Sequence, residues 1–264
     1  MSPSESTSHE SLVGRQFGSR AAAYLTSAVH AAGEDLAALI ALVDSRYDGR
    51  GDVSVLDLGC GAGHVSFAVA PRAKQVVAYD LSADMLAVVT RAAADRGFTN
   101  IATRQGVAER LPFADESFDC VLSRYSAHHW RDLDSGLREV VRVLKPNGVA
   151  GFVDSISPAR PLLDTYQQAV ELLRDPSHVR SYARAEWEAA LVRAGLRPER
   201  VSLHHVRLEF GVWVERMRTP PVQVDAIRAL QTAMSESVRN YFAIGADGSF
   251  TLDVALFEAA KAFG

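Results

Sequence analysis

The chain has 264 residues, of which 48% are hydrophobic and 23% are charged, and these are ordinary values for a globular protein. Its formal net charge is -4. A nucleic-acid-binding surface normally needs a basic excess, so this balance argues against such a partner. No apolar run approaches the roughly 20 residues that cross a bilayer, and we therefore expect no membrane association.

The first residues of the chain and its two cysteines indicate in which cellular compartment we expect the protein. Residues 1–11 are rich in serine and lack a basic segment followed by an apolar one, which predicts a disordered tail rather than a signal peptide. Cys60 and Cys120 form no closely spaced pair, so a disulfide framework and a zinc site are both disfavoured. We expect buried thiols, no bound metal and a cytoplasmic location.

The elements predicted along the chain alternate between helix and strand. Apolar residues at three- and four-residue spacing predict helices at about 17–30 and 34–46. The predicted strands that follow lie at 53–58, 75–79, 101–104, 119–123, 149–153 and about 201–208. The predicted helices between and after them lie at 63–70, 82–96, 133–144, 160–174, 184–195 and 221–241. This alternation predicts an α/β fold with a parallel sheet and helices on both faces.

We divide the chain into three parts. The tail at 1–11 precedes a helical lid at 12–50, and residues 51–264 form the ligand-binding domain. Within that domain, helical insertions at about 158–185 and 211–245 are expected to cover the substrate. The sequence at 250–257 fits either a last strand or the beginning of a helix.

The strongest signal is the segment VLDLGCGAGH at 55–64, a strand that runs into a glycine-rich turn. Glycines there let the backbone bend sharply and approach a ligand. A dinucleotide fingerprint needs a third glycine, where this segment has His64 or Ser66. Asp57 would repel a pyrophosphate, but it suits S-adenosylmethionine, which carries an ammonium and a sulfonium. Bracing of the loop is the alternative role for Asp57.

Asp80 stands 17 residues after Gly63, at the end of the predicted strand 75–79. An acid in this place can accept hydrogen bonds from both ribose hydroxyls of a nucleoside cofactor. Alternatively, it is an ordinary strand-end residue that caps the next helix.

Several strings resemble the successive motifs of class I methyltransferases, namely VLDLGCGAG at 55–63, GVAERLPF at 106–113, SFD at 117–119 and LKPNG at 144–148. The most similar branch is that of the ubiquinone/menaquinone C-methyltransferases. Two further segments, RYSAHHW at 124–130 and RDPSHVR at 174–180, resemble bacterial proteins of the YafE/YcgJ type. The resemblance implies a Rossmann-like, mostly parallel seven-stranded sheet, with helical lid elements at the N-terminus and after strand five.

The resemblance also implies a set of residues that bind S-adenosyl-L-methionine. Asp80 would hold the ribose, and Leu81 and Met85 would lie near the adenine. Val107 departs from many relatives, which have an acid there for the adenine amino group, so Glu109, a backbone carbonyl or water would make that contact. Two more candidates come from position alone, Tyr24 on a predicted helix face and Arg124 after the fourth predicted strand. The full expected set is Tyr24, Asp57, Gly59, Cys60, Gly61, Gly63, Asp80, Leu81, Met85, Val107, Ala108, Glu109 and Arg124.

Methyl transfer from a sulfonium requires the protein to align the reactants and, for some acceptors, to remove a proton. His128 and His129 follow the fourth predicted strand and titrate near neutrality, so they are candidate bases, with a bracing role as the alternative. Tyr125, His178 and Arg180 are candidates for substrate binding. If His178 and Arg180 turn inward, they form a cationic pair that favours an anionic acceptor.

We therefore expect an S-adenosylmethionine-dependent methyltransferase that acts on a small molecule, as a monomer or homodimer. O-, N- and C-methylation stay open, because the same sheet hosts all three. The alternatives are a non-catalytic cofactor-binding protein, a nicotinamide-dependent oxidoreductase and a macromolecular methyltransferase.

Overall fold

A computed structural model describes residues 8–18, 33–47 and 51–262 of the chain. Its strands are β1 Ser54–Leu58, β2 Gln75–Asp80, β3 Ile101–Gln105, β4 Phe118–Arg124, β5 Leu144–Ser155, β6 Leu196–Leu208 and β7 Phe250–Lys261. They form one sheet in the order β3-β2-β1-β4-β5-β7-β6. Strands β1 to β5 pair in parallel, whereas β7 runs antiparallel to both β5 and β6. The mostly parallel seven-stranded sheet confirms the predicted fold class.

Helices pack on both faces of the sheet and beyond the carboxyl ends of its parallel strands. In the described ranges they are α1 His9–Gly18, α2 Glu34–Tyr47, α3 His64–Val69, α4 Ala83–Asp95, α5 Leu133–Val143, α6 Pro161–Arg174, α7 Arg184–Ala194, α8 Phe210–Arg216, α9 Pro221–Ala233 and α10 Glu236–Tyr241. None of these is both long enough and apolar enough to cross a membrane.

The structure differs from the sequence-based expectations in several places, and it also decides one segment that the sequence left open. Helix α1 begins at His9, inside the stretch predicted to be a disordered tail, so that prediction is wrong for residues 9–11. The single helix predicted at 221–241 is two helices, because Met234 adopts an extended backbone conformation between α9 and α10. The ambiguous segment at 250–257 lies in β7. Much of the helix predicted at 17–30 lies outside the described residues.

Alternating side chains of the strands build a core on each face of the sheet. In β4, Val121 packs in the cluster that contains helices α5 and α7, whereas Cys120 and Leu122 pack in the cluster that contains α2 and α3. Each fully buried side chain of this kind contributes about 1.5–3 kcal/mol. The two cores hold the sheet rigidly, so the carboxyl ends of β1, β2, β4 and β5 lie side by side in fixed positions.

A third cluster joins α6, α8, α9 and α10 into a helical cap. Its buried members include Tyr166, Trp213, Ile227 and Phe242, which pack on Phe250 at the beginning of β7. Because β7 is antiparallel to β5, its beginning lies at the carboxyl edge of the parallel strands. The cap therefore stands over the edge where α/β sheets bind ligands.

Candidate functional site

A cleft, here called the first cleft, opens beyond the carboxyl ends of β1, β2 and β4. It brings together most of the residues that the sequence predicted for cofactor binding. These are Asp57, Gly59, Cys60, Gly61, Asp80, Leu81, Met85, Val107, Ala108, Glu109 and Arg124. Gly63 does not line it, and Tyr24 lies outside the described residues.

The three glycines of the loop have different structural roles. All have positive φ angles: 72° at Gly59, 50° at Gly61 and 87° at Gly63. A Cβ on Gly63 would lie 2.9 Å from Val89 and 3.0 Å from Phe67. Gly63 is therefore required for close packing of the loop on these side chains and not for access to the cleft. A Cβ on Gly61 would meet no atom within 4 Å. The space in front of Gly61 is therefore open to a ligand.

Asp80 connects the glycine loop to the beginning of α4. Its Oδ2 accepts a hydrogen bond from the Gly61 N–H at 2.8 Å, and its Oδ1 accepts one from the Ser82 N–H at 2.8 Å. Burial raises the pKa of Asp80. Because each carboxylate oxygen has two lone pairs, both oxygens retain capacity for a hydroxyl donor in the cleft.

Asp57 stabilises the glycine loop through hydrogen bonds to the beginning of α3. Its Oδ2 accepts hydrogen bonds from the backbone N–H and the hydroxyl of Ser66. Burial raises the pKa of Asp57 to about 7, against the opposing effect of these two hydrogen bonds. The structure thus shows the bracing role considered for Asp57, and the same residue also lines the cleft.

The other end of the cleft is formed by residues 106–109. The Tyr79 hydroxyl donates to the carbonyl of Val107 at 3.0 Å, which fixes this loop against β2. Glu109 Oε1 accepts hydrogen bonds from the backbone N–H groups of Arg131 at 2.8 Å and Asp132 at 3.3 Å. One oxygen of Glu109 is therefore already engaged in holding the segment before α5.

Arg124 ends β4 and forms a buried ion pair. Its Nε donates to Asp35 Oδ2 at 2.5 Å, and its Nη2 donates to Asp35 Oδ1 at 3.1 Å. The guanidinium lies 5.0 Å from the ring centroid of Tyr125, whose φ angle is 52°. A positive φ is unfavourable for a bulky residue, and such strain concentrates at functional sites. Burial raises the pKa of Tyr125 and keeps its phenol neutral.

A second cleft adjoins the first, and Tyr125 and His129 line both. One wall of the second cleft is apolar and comes from β6, β7 and the helical cap. Its members are Val206, Leu208, Trp213, Met217, Leu252 and Val254. The cleft is also lined by polar residues, among them His128, Glu171, Arg174 and Asp175.

The two adjacent histidines have different environments. The Nδ1 of His128 lies 2.6 Å from Asp154 Oδ1, whereas the Nδ1 of His129 lies 3.0 Å from the carbonyl of Ser177. Burial lowers the pKa of His128, but the charge and hydrogen bond of Asp154 outweigh it, so the pKa is raised overall. For His129, burial and the neighbouring His128 lower the pKa to about 4.

His178 and Arg180 do not form the cationic pair that their turning inward would have produced. Burial, together with nearby positive charge, lowers the pKa of His178 to about 2, so its imidazole is neutral, and its Nε2 pairs with Gln168 Oε1 at 3.1 Å. Arg180 lines neither cleft, because its Nη2 is held by Asp164 at 3.3 Å and by Glu186 at 3.1 Å. His178 nevertheless packs near His128, with 5.7 Å between the two ring centroids.

Helix α1 covers part of the first cleft. His9 and Glu10 line it, and the His9 Nε2 donates to the carbonyl of His129 at 3.0 Å. Glu10 forms an ion pair with Arg131 at 2.9 Å. In the described part of the chain, no group of three or more His, Cys, Asp or Glu side chains is arranged to hold a metal ion.

Sequence reasoning missed several acids of the site. Asp35 binds Arg124, Asp154 binds His128, and Asp175 lies 4.0 Å from the Nε2 of His129. Of these, only Asp154 has a local signal, because it stands near the carboxyl end of a predicted strand.

Comparison with known proteins agrees with this arrangement. The family model described as "Methyltransferase domain" matches residues 56–152. The uncharacterized protein YafE of Escherichia coli (strain K12) is 51% identical over 204 residues, which cover 77% of this chain and 99% of YafE. The uncharacterized methyltransferase YcgJ of Bacillus subtilis (strain 168) is 34% identical over 93% of this chain and 97% of its own.

Two further comparisons concern the fold and the wider family. The crystal structure of YcgJ matches with a TM-score of 0.82 at 33% identity, over 88% of this chain and 99% of that one. A demethylmenaquinone methyltransferase of Chlorobaculum parvum is 36% identical over 118 residues, 44% of this chain and 46% of that protein. The chain therefore belongs to the class I methyltransferases, in the group that includes YafE and YcgJ and is related to the ubiquinone/menaquinone C-methyltransferases.

Proposed function

We propose that the chain transfers a methyl group from S-adenosyl-L-methionine to a small molecule. The observation that carries this proposal is the junction of the two clefts at Tyr125 and His129. A donor in the first cleft and an acceptor in the second would meet there. Holding the two reactants in contact converts a bimolecular reaction into an effectively unimolecular one.

The charge of the first cleft suits a cationic donor. Asp57 and Asp80 both line it beside the glycine loop. Carboxylates here attract an ammonium and a sulfonium, whereas they would repel the pyrophosphate of a nicotinamide cofactor. The open space in front of Gly61 leaves room for the donor to lie against the backbone.

We assign the parts of the donor to the following residues. The methionine part would lie along Gly59, Cys60 and Gly61, and Asp80 would accept from the ribose hydroxyls. Leu81, Met85 and Ala108 offer apolar contacts to the adenine ring, and Ala108 is buried. When bound, the sulfonium supplies the activated methyl group, and the chain supplies orientation, exclusion of water and proton transfer.

The second cleft suits an acceptor with an apolar body and one polar end. Its lining combines apolar side chains with polar groups that already have partners within the protein. Arg174 lies 3.5 Å from Glu171, and Asp175 Oδ1 accepts from the N–H of Ser177 at 2.9 Å. Because these charges are already neutralised by partners, they would select an acceptor by the positions of its hydrogen-bonding groups rather than by its net charge. Tyr125 would contact the acceptor at the junction of the two clefts. The helical cap would cover it.

The proposal also includes the compartment and the partner class. Cys60 and Cys120 are buried free thiols, which agrees with a reducing cytoplasm. We expect no nucleic-acid or membrane partner, and a monomer or a homodimer in solution.

Calorimetry tests the donor, with S-adenosylmethionine, S-adenosylhomocysteine and NADH titrated separately into the purified protein. We expect both sulfur compounds to bind and NADH to give no heat. Tight NADH binding without binding of S-adenosylmethionine would replace the proposal with an oxidoreductase.

Transfer itself is tested with S-adenosylmethionine labelled in the methyl group and a metabolite extract of the source organism. We expect label in a small molecule that is heavier by one CH₂. The Gly61→Val variant serves as a control that retains the rest of the site. Donor binding without any labelled product at single-turnover enzyme concentrations would favour a non-catalytic cofactor-binding protein.

A further inference from the structure

His128 lines the second cleft, and the adjacent His129 lines both clefts. A carboxylate oxygen of Asp154 lies 2.6 Å from a ring nitrogen of His128, whereas that of Asp175 lies 4.0 Å from a ring nitrogen of His129. We propose that His128 is the catalytic base of the methyl transfer, that Asp154 is its positioning residue, and that His129 has a structural role. This inference rests on the function proposed above.

Asp154 fixes both the ring and the backbone of His128. Its Oδ1 lies 2.6 Å from His128 Nδ1, and its Oδ2 accepts from the His128 N–H at 3.2 Å. The side chain of Asp154 is only 2% exposed, and its Oδ1 also accepts from the Ser155 N–H at 2.8 Å. A carboxylate held in this way does not rotate, so it holds the imidazole in one orientation.

The contact with Asp154 also determines which ring nitrogen is basic. A carboxylate can only accept, so Nδ1 carries the hydrogen and Nε2 carries the lone pair of the neutral ring. No described residue forms a hydrogen bond with Nε2. Since His128 lines the second cleft and its side chain is 17% exposed, Nε2 is the nitrogen available to an acceptor.

His129 is engaged in a different way. Its Nδ1 lies 3.0 Å from the carbonyl of Ser177, its Nε2 lies 4.0 Å from Asp175, and its own carbonyl accepts from His9. These contacts join the loop after β4 to the segment after α6 and to α1. Burial lowers the pKa of His129, so it is also the weaker base of the two.

The groups around His128 stabilise its protonated form. Asp154 from β5, Glu171 from α6 and Asp175 after α6 all act on it with negative charge. His129 and His178 pack against its ring, at 4.1 Å and 5.7 Å between centroids, and burial lowers the pKa of both, so they remain neutral at physiological pH. Among the described residues, the arginines that line the second cleft with His128 are Arg174, which pairs with Glu171, and Arg216.

The proton balance of the step is simple. The X–H bond of the acceptor breaks, its proton goes to His128 Nε2, and the electron pair that stays on X forms the new bond to the methyl carbon. The electron pair of the methyl–sulfur bond remains on sulfur, which becomes a neutral thioether. The imidazolium that results lies against Asp154 until it releases the proton to water.

Nuclear magnetic resonance of ring ¹⁵N nuclei tests the inference without any acceptor. We expect the neutral His128 to carry its hydrogen on Nδ1 and to titrate above the usual histidine range. In Asp154→Asn the pKa should fall by about one unit or more, because an adjacent opposite charge shifts a pKa by about 1–3 units. His128→Asn and His129→Asn identify the signals.

Asp253→Asn is the matched control. It removes a similar contact, with Asp253 Oδ1 at 2.8 Å from the Nδ1 of His205, but that histidine is 73% exposed and lies in neither cleft. His128 should titrate in this variant as in the unmodified protein. An unchanged His128 pKa in Asp154→Asn, or a hydrogen on Nε2, overturns the inference.

Kinetics with methyl-labelled S-adenosylmethionine and the metabolite extract as the source of acceptor give the second readout. In His128→Asn, kcat should fall at least about 100-fold while the affinity for S-adenosylmethionine is unchanged, because general-base catalysis contributes about 10²–10⁴-fold. In Asp154→Asn, the acidic limb of the kcat profile should move to lower pH. A larger loss in His129→Asn than in His128→Asn would refute the assignment.

The two proposals fail in distinguishable ways. If S-adenosylmethionine does not bind, the proposed function fails whatever the histidines do. If it binds and is consumed, but His128 lacks the expected tautomer, only the present inference fails.

Discussion

Asp57 Oδ2 accepts two hydrogen bonds from Ser66, one from the backbone N–H at 2.9 Å and one from the hydroxyl at 2.6 Å. Asp57 lies in β1 and Ser66 in the first turn of α3, so this contact closes the glycine loop at its base. The same carboxyl lines the first cleft. Its protonation therefore affects both the loop and the charge that a cofactor meets.

The first prediction concerns the pH dependence of cofactor affinity. Burial raises the pKa of Asp57 to about 7, so a substantial fraction of the carboxyl is neutral below that pH. A neutral carboxyl does not attract an ammonium, and we expect the affinity for S-adenosylmethionine to increase as the pH rises towards about 7. Calorimetry across this range measures it. Asp57→Asn should reduce the increase and leave only the part that comes from Asp80, whose pKa burial also raises.

The same shift has the opposite sign for stability. Between the pKa of an unfolded aspartate, about 4, and that of the folded state, the native protein holds a proton that the unfolded chain has released. The contribution of Asp57 to the free energy of unfolding therefore decreases as the pH rises through this window. An identical pH dependence in Asp57→Asn, for both affinity and stability, would contradict the assignment.

The second prediction concerns Asp80. Asp80→Ala removes the proposed ribose acceptor and the carboxylate that holds the N–H groups of Gly61 and Ser82. Hydrogen bonds to charged groups contribute about 1.5–3 kcal/mol each, so we expect the affinity for S-adenosylmethionine to fall at least about tenfold. Asp84→Ala, on the exposed first turn of the same helix, is the control and should bind normally. Equal affinities in the two variants would remove Asp80 from the cofactor site.

The third prediction compares two ion pairs of helix α2. Asp35 and Asp44 each lie within 2.6 Å of an arginine Nε, but the Asp35–Arg124 side chains are 8% and 4% exposed, against 48% and 39% for Asp44–Arg72. Asp35→Ala leaves a buried guanidinium without this partner and should cost about 3–5 kcal/mol. Asp44→Ala should cost about 1 kcal/mol or less. Urea denaturation measures both, and similar costs would mean that water reaches Arg124.

The parts of the site that could be predicted depend on local sequence. A tight turn after a buried strand needs glycines regardless of the rest of the fold. Asp80 could be predicted because it stands at the end of the next apolar run along the chain. The sheet is likewise encoded in alternating runs of apolar residues. These signals need no knowledge of distant contacts.

The rest depends on tertiary packing. Arg124 and Asp35 are 89 positions apart, and His128 and Asp154 are 26 apart, so no local pattern predicts either pair. The sequence left open whether Arg180 turns inward, and the packing of α6 and α7 places two carboxylates beside it. A resemblance to a family cannot supply such side-chain partners.

The last prediction separates the ligand-binding role of the glycine loop from its backbone strain. Gly61 and Gly97 have φ angles of 50° and 73°, and a Cβ on either meets no atom within 4 Å. Only Gly61 lines the first cleft, whereas Gly97 follows α4 on the surface. A valine at either position adopts an unfavourable left-handed conformation, and we expect each variant to lose about 1–2 kcal/mol of stability.

The two variants should differ in cofactor binding. The side chain in Gly61→Val projects into the space assigned to the methionine part, so binding of S-adenosylmethionine should become undetectable by calorimetry. Gly97→Val has the same strain without the obstruction and should retain its affinity. Because both variants carry a similar loss of stability, a difference in binding reports the position of the ligand. Normal binding by Gly61→Val would place the donor elsewhere in the molecule.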